Sequence, residues 1–298
     1  MNASVHLLER TLPTAVHIRA EVPEEHASTR ILGTDRMGTG TILAGSGLVL
    51  TAHYLLIGAD RVDLTLDEGR TVEARVVGVD FDTGLGLLAS EDALGPGLET
   101  RPVDDIELGE ECFLVASVGD GRRSQSGFVN GLETFEAFWE YAIEPAVFFS
   151  MDSPGLGGGP LVDTDGRMIG VSALSLAEVG RFTVAVPVSH AFRMVEAVER
   201  TGAWVPPTPR AWLGITCFTL EGRVALAGVL PDSPAEQAGL HPGDTILAVG
   251  DEEVSDRLAL YRAIWRHPAE QEITLRIVRE GEMRAISIRP TSMRAYFS

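Results

Sequence analysis

At 298 residues the chain is long enough for two or three units, each burying a core of its own. Its 43 acidic against 24 basic residues give a formal charge of −19, which argues against nucleic acid or an anionic membrane surface as a partner, because both select a cationic footprint. The pair Arg122-Arg123 is too short to offset this, and the acidity otherwise reads as a solvated surface.

The first ten residues, Met1 to Arg10, lack the basic start and apolar run of a secretory signal, and no later stretch is apolar for long enough to cross a bilayer. A cytoplasmic protein is therefore expected. From about residue 13 to 188, short apolar runs punctuated by glycine and turn residues predict an all-β sandwich or barrel. Val16-His17-Ile18, Gly40-Thr41-Ile42-Leu43, Gly47-Leu48-Val49-Leu50 and Ala74-Arg75-Val76-Val77-Gly78-Val79 are typical. Val62 to Leu66 alternates, so one face is buried and one wet, and Asp67-Glu68-Gly69-Arg70 turns the chain back. Cys112 to Val118, Leu161-Val162 and Met168 to Val171 continue the pattern, the last two joined by the turn Asp163-Thr164-Asp165-Gly166. Between them, Leu132 to Tyr141 is rich in aromatic and acidic residues and offers either a partner surface or aromatics packed under a long loop.

Val184-Ala185-Val186-Pro187-Val188 closes the β-rich part. Ser189 is expected to cap a helix that carries Phe192, Val195 and Val198 on one face and stops at Gly202. Pro206-Pro207-Thr208-Pro209 then reads as a stiff linker. Beyond it, Ser233 is placed as a cap, Pro234 at the first helical position, Glu236 as the reciprocal partner of a capping box and Gly239 as the stop. Ser255 is expected to cap a second helix, on which Leu260 and Ile264 share a face. Cys112 and Cys217 fall in different domains and read as buried small hydrophobes rather than a disulfide or metal pair.

The stretch Pro231-Asp232-Ser233-Pro234-Ala235-Glu236-Gln237-Ala238-Gly239-Leu240-His241-Pro242-Gly243-Asp244-Thr245-Ile246-Leu247, preceded by Trp212-Leu213-Gly214-Ile215, resembles a bacterial PDZ domain. The match runs to about Pro290. The resemblance implies that backbone amides of Trp212, Leu213, Gly214 and Ile215 hold a peptide's terminal carboxylate while the peptide adds a strand to the sheet edge, with Gly214 allowing close backbone approach. Leu260 and Ile264 would line the pocket for the last side chain; in the alternative they are core residues and Tyr261 or Arg257 faces the groove.

Three stretches of the first part resemble the signatures of HtrA-like, trypsin-like serine proteases. They are Leu50-Thr51-Ala52-His53-Tyr54-Leu55-Leu56-Ile57-Gly58-Ala59, Asp80-Phe81-Asp82-Thr83-Gly84-Leu85-Gly86-Leu87-Leu88 and Gly155-Leu156-Gly157-Gly158-Gly159-Pro160-Leu161. Counted against that family, the positions of the catalytic histidine, aspartate and serine fall on Tyr54, Gly84 and Gly157, and Gly155, Leu156 and Gly157 correspond to the oxyanion loop. A triad needs a hydroxyl, a base to take its proton and a carboxylate to fix the base's tautomer. The resemblance with these substitutions therefore predicts a protein that is not an enzyme, a pseudoprotease with no cofactor or metal. A displaced triad of His53, Asp82 or Asp80, and Ser153 or Ser150 is the rival, and a glycine-rich nest at 155–159 that binds an anion is a third reading.

The expected architecture is mainly β: a chymotrypsin/trypsin-like double β-barrel over 1–204, a proline-rich linker over 205–210, a PDZ domain over 211–292 and a tail over 293–298. The expected function is binding of polypeptide C-termini or extended segments, as an adaptor, scaffold or regulator. Expected partners are such polypeptides and an active HtrA-like paralogue, in a homo- or hetero-oligomer, with no nucleic acid and no membrane.

Overall fold

Short alternating strands joined by tight turns bury one face by curling a sheet onto itself, and the first part of this chain does so twice. A computed structural model describes residues 3–119, 121–151, 157–176, 182–206 and 208–298. The chain divides into two units, one of Met1–Phe135 with Ile143–Val205, the other of Pro206–Ser298 together with the segment Glu136–Ala142.

In the first unit, the short helices α1 (Ala3–Thr11) and α2 (Thr29–Leu32) flank β1 (Ala15–Glu21). With β2 (Asp35–Ile42), β3 (Val49–Ala52), β4 (Arg61–Thr65), β5 (Thr71–Asp80) and β6 (Leu85–Ala89) it closes a barrel in the order β1-β2-β3-β6-β5-β4. Val62 and Leu64 point into its core with Ile18, Val49 and Leu88, and the Asp67–Arg70 turn is closed by Leu66 N–H donating to the Arg70 carbonyl at 2.9 Å. A second barrel holds β7 (Glu111–Val118), β8 (Gly121–Glu136), β9 (Ala142–Phe149), β10 (Pro160–Asp163), β11 (Met168–Ser175) and β12 (Thr183–Pro187), in the order β10-β11-β12-β9-β8-β7. Its core includes Leu114, Val147, Phe149, Leu161 and Ile169, each burial worth roughly 1.5–3 kcal/mol.

The β10–β11 turn is tied by the buried carboxylate of Asp163. Its Oδ1 accepts from the backbone N–H of Asp165 (3.0 Å) and Arg167 (2.8 Å), and its Oδ2 from the guanidinium groups of Arg167 (2.9 Å) and Arg101 (3.2 Å). Helix α3 (Phe192–Thr201) begins later than expected. Ser189 lies inside a 3-10 turn over Val188–Ala191 and caps nothing, and the buried face is Met194 and Val198, while Phe192 is exposed. Gly202 stops the helix as expected, its N–H donating to the Val198 carbonyl at 2.7 Å.

The second unit is a six-stranded sheet of β13 (Ile215–Leu220), β14 (Arg223–Val229), β15 (Thr245–Val249), β16 (Glu252–Glu253), β17 (Ile273–Arg279) and β18 (Glu282–Ile288). The order β13-β14-β15-β17-β18 leaves β13 at an edge. Helices α4 (Pro234–Gln237) and α5 (Arg257–Trp265) pack on it. Ser233 caps α4 by accepting from Glu236 N–H, but the Glu236 carboxylate reaches Asp232 N–H at 2.7 Å instead of returning to Ser233. The cap of α5 is Asp256, not Ser255, accepting from Ala259 N–H at 2.8 Å. Residues 293–298 are not a loose tail. Ser292 caps a short helix α6 (Met293–Tyr296), and Tyr296 lies against the Trp212 ring with centroids 4.7 Å apart. Both cysteines are free and buried, and burial pushes the thiols up, to about 12 for Cys112 and about 11 for Cys217.

Candidate functional site

Two sites follow from these elements, one in each unit. In the first unit, β3 runs into a 3-10 turn over His53–Leu55, which places His53 and Tyr54 beside the β5–β6 connection. His53 is tied there twice: its backbone N–H donates to the Gly84 carbonyl at 2.9 Å, and its Nδ1 lies 3.0 Å from the same oxygen. A carbonyl only accepts, so Nδ1 carries the proton and Nε2 is the basic nitrogen of the neutral ring. Burial pulls the imidazole down to about 4, against the smaller upward pull of the Gly84 carbonyl, so the ring is neutral at pH 7. Gly84, counted at the aspartate position, thus touches the neighbouring histidine through its backbone.

Gly157 has no hydroxyl, and the space its side chain would need is taken. A Cβ built there would sit 1.9 Å from the Tyr54 hydroxyl oxygen. The Gly157 carbonyl accepts from Thr39 N–H at 3.0 Å, and Gly158 N–H donates to the Ser172 carbonyl at 2.7 Å. An anion-holding nest at 155–159 is therefore without the Gly158 amide, which is spent inside the barrel. Gly155, Leu156 and Ser153 lie outside the described residues, as does Pro207 of the expected linker. Ser150 serves the sheet: its hydroxyl accepts from Phe128 N–H at 3.0 Å. The Asp80 carboxylate accepts from Asp82 N–H at 3.0 Å, closing the turn before Gly84.

In the second unit the loop entering β13 presents three consecutive backbone N–H groups, those of Leu213, Gly214 and Ile215, and all three point at one carboxylate. Glu140 Oε1 accepts from Leu213 at 2.9 Å, and Oε2 accepts from Gly214 at 2.7 Å and Ile215 at 3.0 Å. Gly214 makes this possible with φ +83°, and a Cβ there would meet Ser233 Cβ at 2.4 Å. The Glu140 side chain is buried, and burial pushes its carboxyl up to about 7, against the pull of the three amides. Upstream of Glu140 the chain lies along the free edge of β13: Trp139 pairs antiparallel with Thr216, and Cys217 N–H donates to the Phe138 carbonyl at 2.7 Å. From α5, the Tyr261 hydroxyl donates to the Ala137 carbonyl at 3.1 Å and the Arg257 guanidinium to Glu136 at 3.1 Å.

Of the residues expected to bind peptide, Leu213, Gly214 and Ile215 are thus brought together by their amides. Trp212 is not part of this cradle, because its N–H donates to the Thr291 carbonyl at 2.7 Å. Leu260 and Ile264 are fully buried in the core, and the residues of α5 that face the groove are Arg257 and Tyr261, one turn apart. Glu140 itself carried no mark beyond its place in an acidic, aromatic stretch. An acid between Trp139 and Tyr141 is its one local signal, and nothing in its neighbourhood points to amides 73 to 75 residues away.

The family model for a trypsin-like peptidase domain matches residues 38–171 and that for a PDZ domain matches residues 211–289. A DegP-like periplasmic serine endoprotease of Halomonas elongata is 26% identical over 271 residues, 85% of this chain and 56% of the relative. A serine protease of Synechocystis, HhoA, is 25% identical over 86% of this chain and 71% of its own length. The chain thus spans little more than half the length of the DegP-like relatives it matches. Among solved structures, the HtrA-type protease AlgW with a decapeptide superposes with a TM-score of 0.60 at 22% identity, over 98% of this chain and 99% of that one. A serine endoprotease from Yersinia pestis gives 0.57 at 23%, covering 98% of each chain.

These findings agree with the double barrel and PDZ fold and correct two expectations. Relatives aligned over most of the chain are named serine endoproteases or serine proteases, which overturns the expectation of a protein that is not an enzyme. The DegP-like relatives are named periplasmic, which overturns the cytoplasmic expectation drawn from residues 1–10. Among the described residues, no helix is long and apolar enough to cross a membrane.

Proposed function

Because the chain joins a trypsin-like peptidase domain to a PDZ domain, the pair found in the HtrA/DegP family, we propose that its second unit binds polypeptides by their C-terminal carboxylate or by an extended segment carrying an acidic side chain. The observation that carries this reading is the convergence of the Leu213, Gly214 and Ile215 amides on the Glu140 carboxylate, beside a strand edge that accepts a further strand. Amides fixed by the backbone hold a carboxylate without losing side-chain entropy, and main-chain pairing with β13 adds affinity that is indifferent to sequence. Phe218, Tyr261 and Arg257 then choose among ligands, as they already touch Phe138, Ala137 and Glu136. An array of decapeptides, each as free acid and as amide, probed with the full chain tests this. Retention of free acids and loss of the matching amides is expected, and no carboxylate-dependent retention anywhere on the array removes the reading.

Endopeptidase activity in the periplasm is the second reading, favoured by the names of the relatives. Gly157 supplies no hydroxyl, so the nucleophile has to come from another serine. Ser153 is the one nearest in sequence, with His53 as the neutral base held by Gly84. Intact-mass analysis after incubation with a fluorophosphonate tests this. An adduct that maps to a serine supports it, and an unmodified mass beside a labelled active protease removes it.

A further inference from the structure

A PDZ edge strand and its amide cradle are open to an incoming peptide only if nothing already fills them. Here both are filled from within. The segment Glu136–Ala142, which joins β8 to β9, belongs with the second unit rather than the first. It makes the contacts a bound peptide makes. Its main chain pairs with β13 at Trp139 and Phe138, and a carboxylate sits on the three amides of the cradle. The fit goes beyond these contacts: Phe138 stacks on Phe218 with ring centroids 6.1 Å apart, Tyr261 binds the Ala137 carbonyl, and Arg257 pairs with Glu136. One difference marks the segment as internal. The chain continues past Glu140, so the carboxylate is a side chain and not a terminus.

We propose that residues 136–142 are a built-in ligand of the PDZ groove, with Glu140 standing in for a terminal carboxylate, and that outside C-termini bind by displacing it. The proposal rests on the peptide-binding reading and adds a competitor to it. Two carboxylates cannot share three amides, because like charges at that separation exclude each other and the donors are already saturated. The free groove is therefore a minor state, and the apparent affinity for any outside peptide is reduced by the fraction of molecules that have released Glu140. Phe138 is 46% exposed although it stacks in the groove, while Ala137, Glu140 and Tyr141 are buried.

The probe is a synthetic decapeptide with the sequence of residues 131–140, a free C-terminus and a fluorescein label. It is titrated by anisotropy into the full chain and into its Glu140→Gln, Glu140→Ala and Phe138→Ala variants. Hydrogen exchange of the peptide covering 213–217 is followed in parallel. Expected is a Kd at least about tenfold lower in Glu140→Ala than in the unsubstituted chain, with Phe138→Ala between them and protection at 213–217 falling as Glu140 is removed. Phe138→Ala changes an exposed ring and keeps the test open should both Glu140 variants fail to fold. Equal Kd values with unchanged protection overturn the built-in ligand while leaving peptide binding in place. Protection lost in Glu140→Ala, with no binding of the decapeptide to any variant up to about 1 mM while other free acids on the array bind all proteins equally, also overturns it. An array without carboxylate-dependent binding, even to Glu140→Ala, overturns peptide binding itself, and the competition with it.

Discussion

Gly157 and Gly158 are adjacent and serve different ends. At 157 the obstacle to a side chain is the end of the Tyr54 ring, which can swing away. At 158 the obstacles are the Thr39 carbonyl, 2.2 Å from a built Cβ, and a backbone held at φ +83°. Gly157→Ala should cost about 1 kcal/mol and Gly158→Ala about 2–4 kcal/mol in urea unfolding. Tyr54→Ala should abolish the first cost and leave the second unchanged, whereas an equal cost at both positions would contradict this packing. Glu140 makes release of the segment depend on pH. Its carboxyl titrates at about 7 when engaged and in the usual carboxylate range when released, so the engaged form binds the extra proton between the two values. Engagement is strongest on the acid side and weakens as pH rises toward 7, above which nothing more is lost. Cys217 and Tyr261, the titratable groups of β13 and α5 around it, stay protonated throughout, and the Glu136–Arg257 ion pair lines the same groove. The released fraction, read as hydrogen exchange of 213–217 corrected for its intrinsic pH dependence, should therefore rise about tenfold or more from about pH 5 to about pH 8, while peptide affinity carries in addition the opposing titration of the peptide's own carboxylate in the same cradle. In Glu140→Gln that rise should vanish, and its persistence there would assign the effect to another group.

At the scale of elements, what was legible in the sequence was local. The turn at Asp163–Gly166 and the Ser233-Pro234 start of α4 are decided within four or five residues, where cap and turn chemistry act, and both form as the residues suggest. Asp163→Ala should destabilise the first unit by about 1–3 kcal/mol, because it frees two amides of the turn and removes one acceptor from Arg101, which keeps the Glu110 carboxylate and the Asp105 carbonyl. A loss under about 1 kcal/mol in thermal unfolding would show that water replaces the carboxylate. The sequence leaves the groove face of α5 open between Leu260 with Ile264 and Tyr261 or Arg257. Leu260, Tyr261, Ala263 and Ile264 are all buried, so helical periodicity marks no single face as the one lining the groove. The late start of α3 was hidden for another reason, since 3-10 turns are common at α-helix N-termini and no capping side chain marks the change from one to the other.

For the whole molecule, the match of segment 136–142 to a sheet edge more than 70 residues away is a long-range contact that no local pattern encodes. The double barrel and the PDZ sheet were visible because their alternation and turns repeat. The occupant of the groove was not, because a strand added at an edge needs only main-chain groups and one acid. On the proposed function, the second unit holds carboxylates on the amides of Leu213, Gly214 and Ile215. The most direct measurement is a pair of calorimetric titrations of the full chain carrying Glu140→Gln, one with an array-selected decapeptide as the free acid and one with the same peptide as the amide. A Kd for the acid at least about tenfold below that for the amide is expected. Equal affinity for the two, or heat from neither, would contradict it.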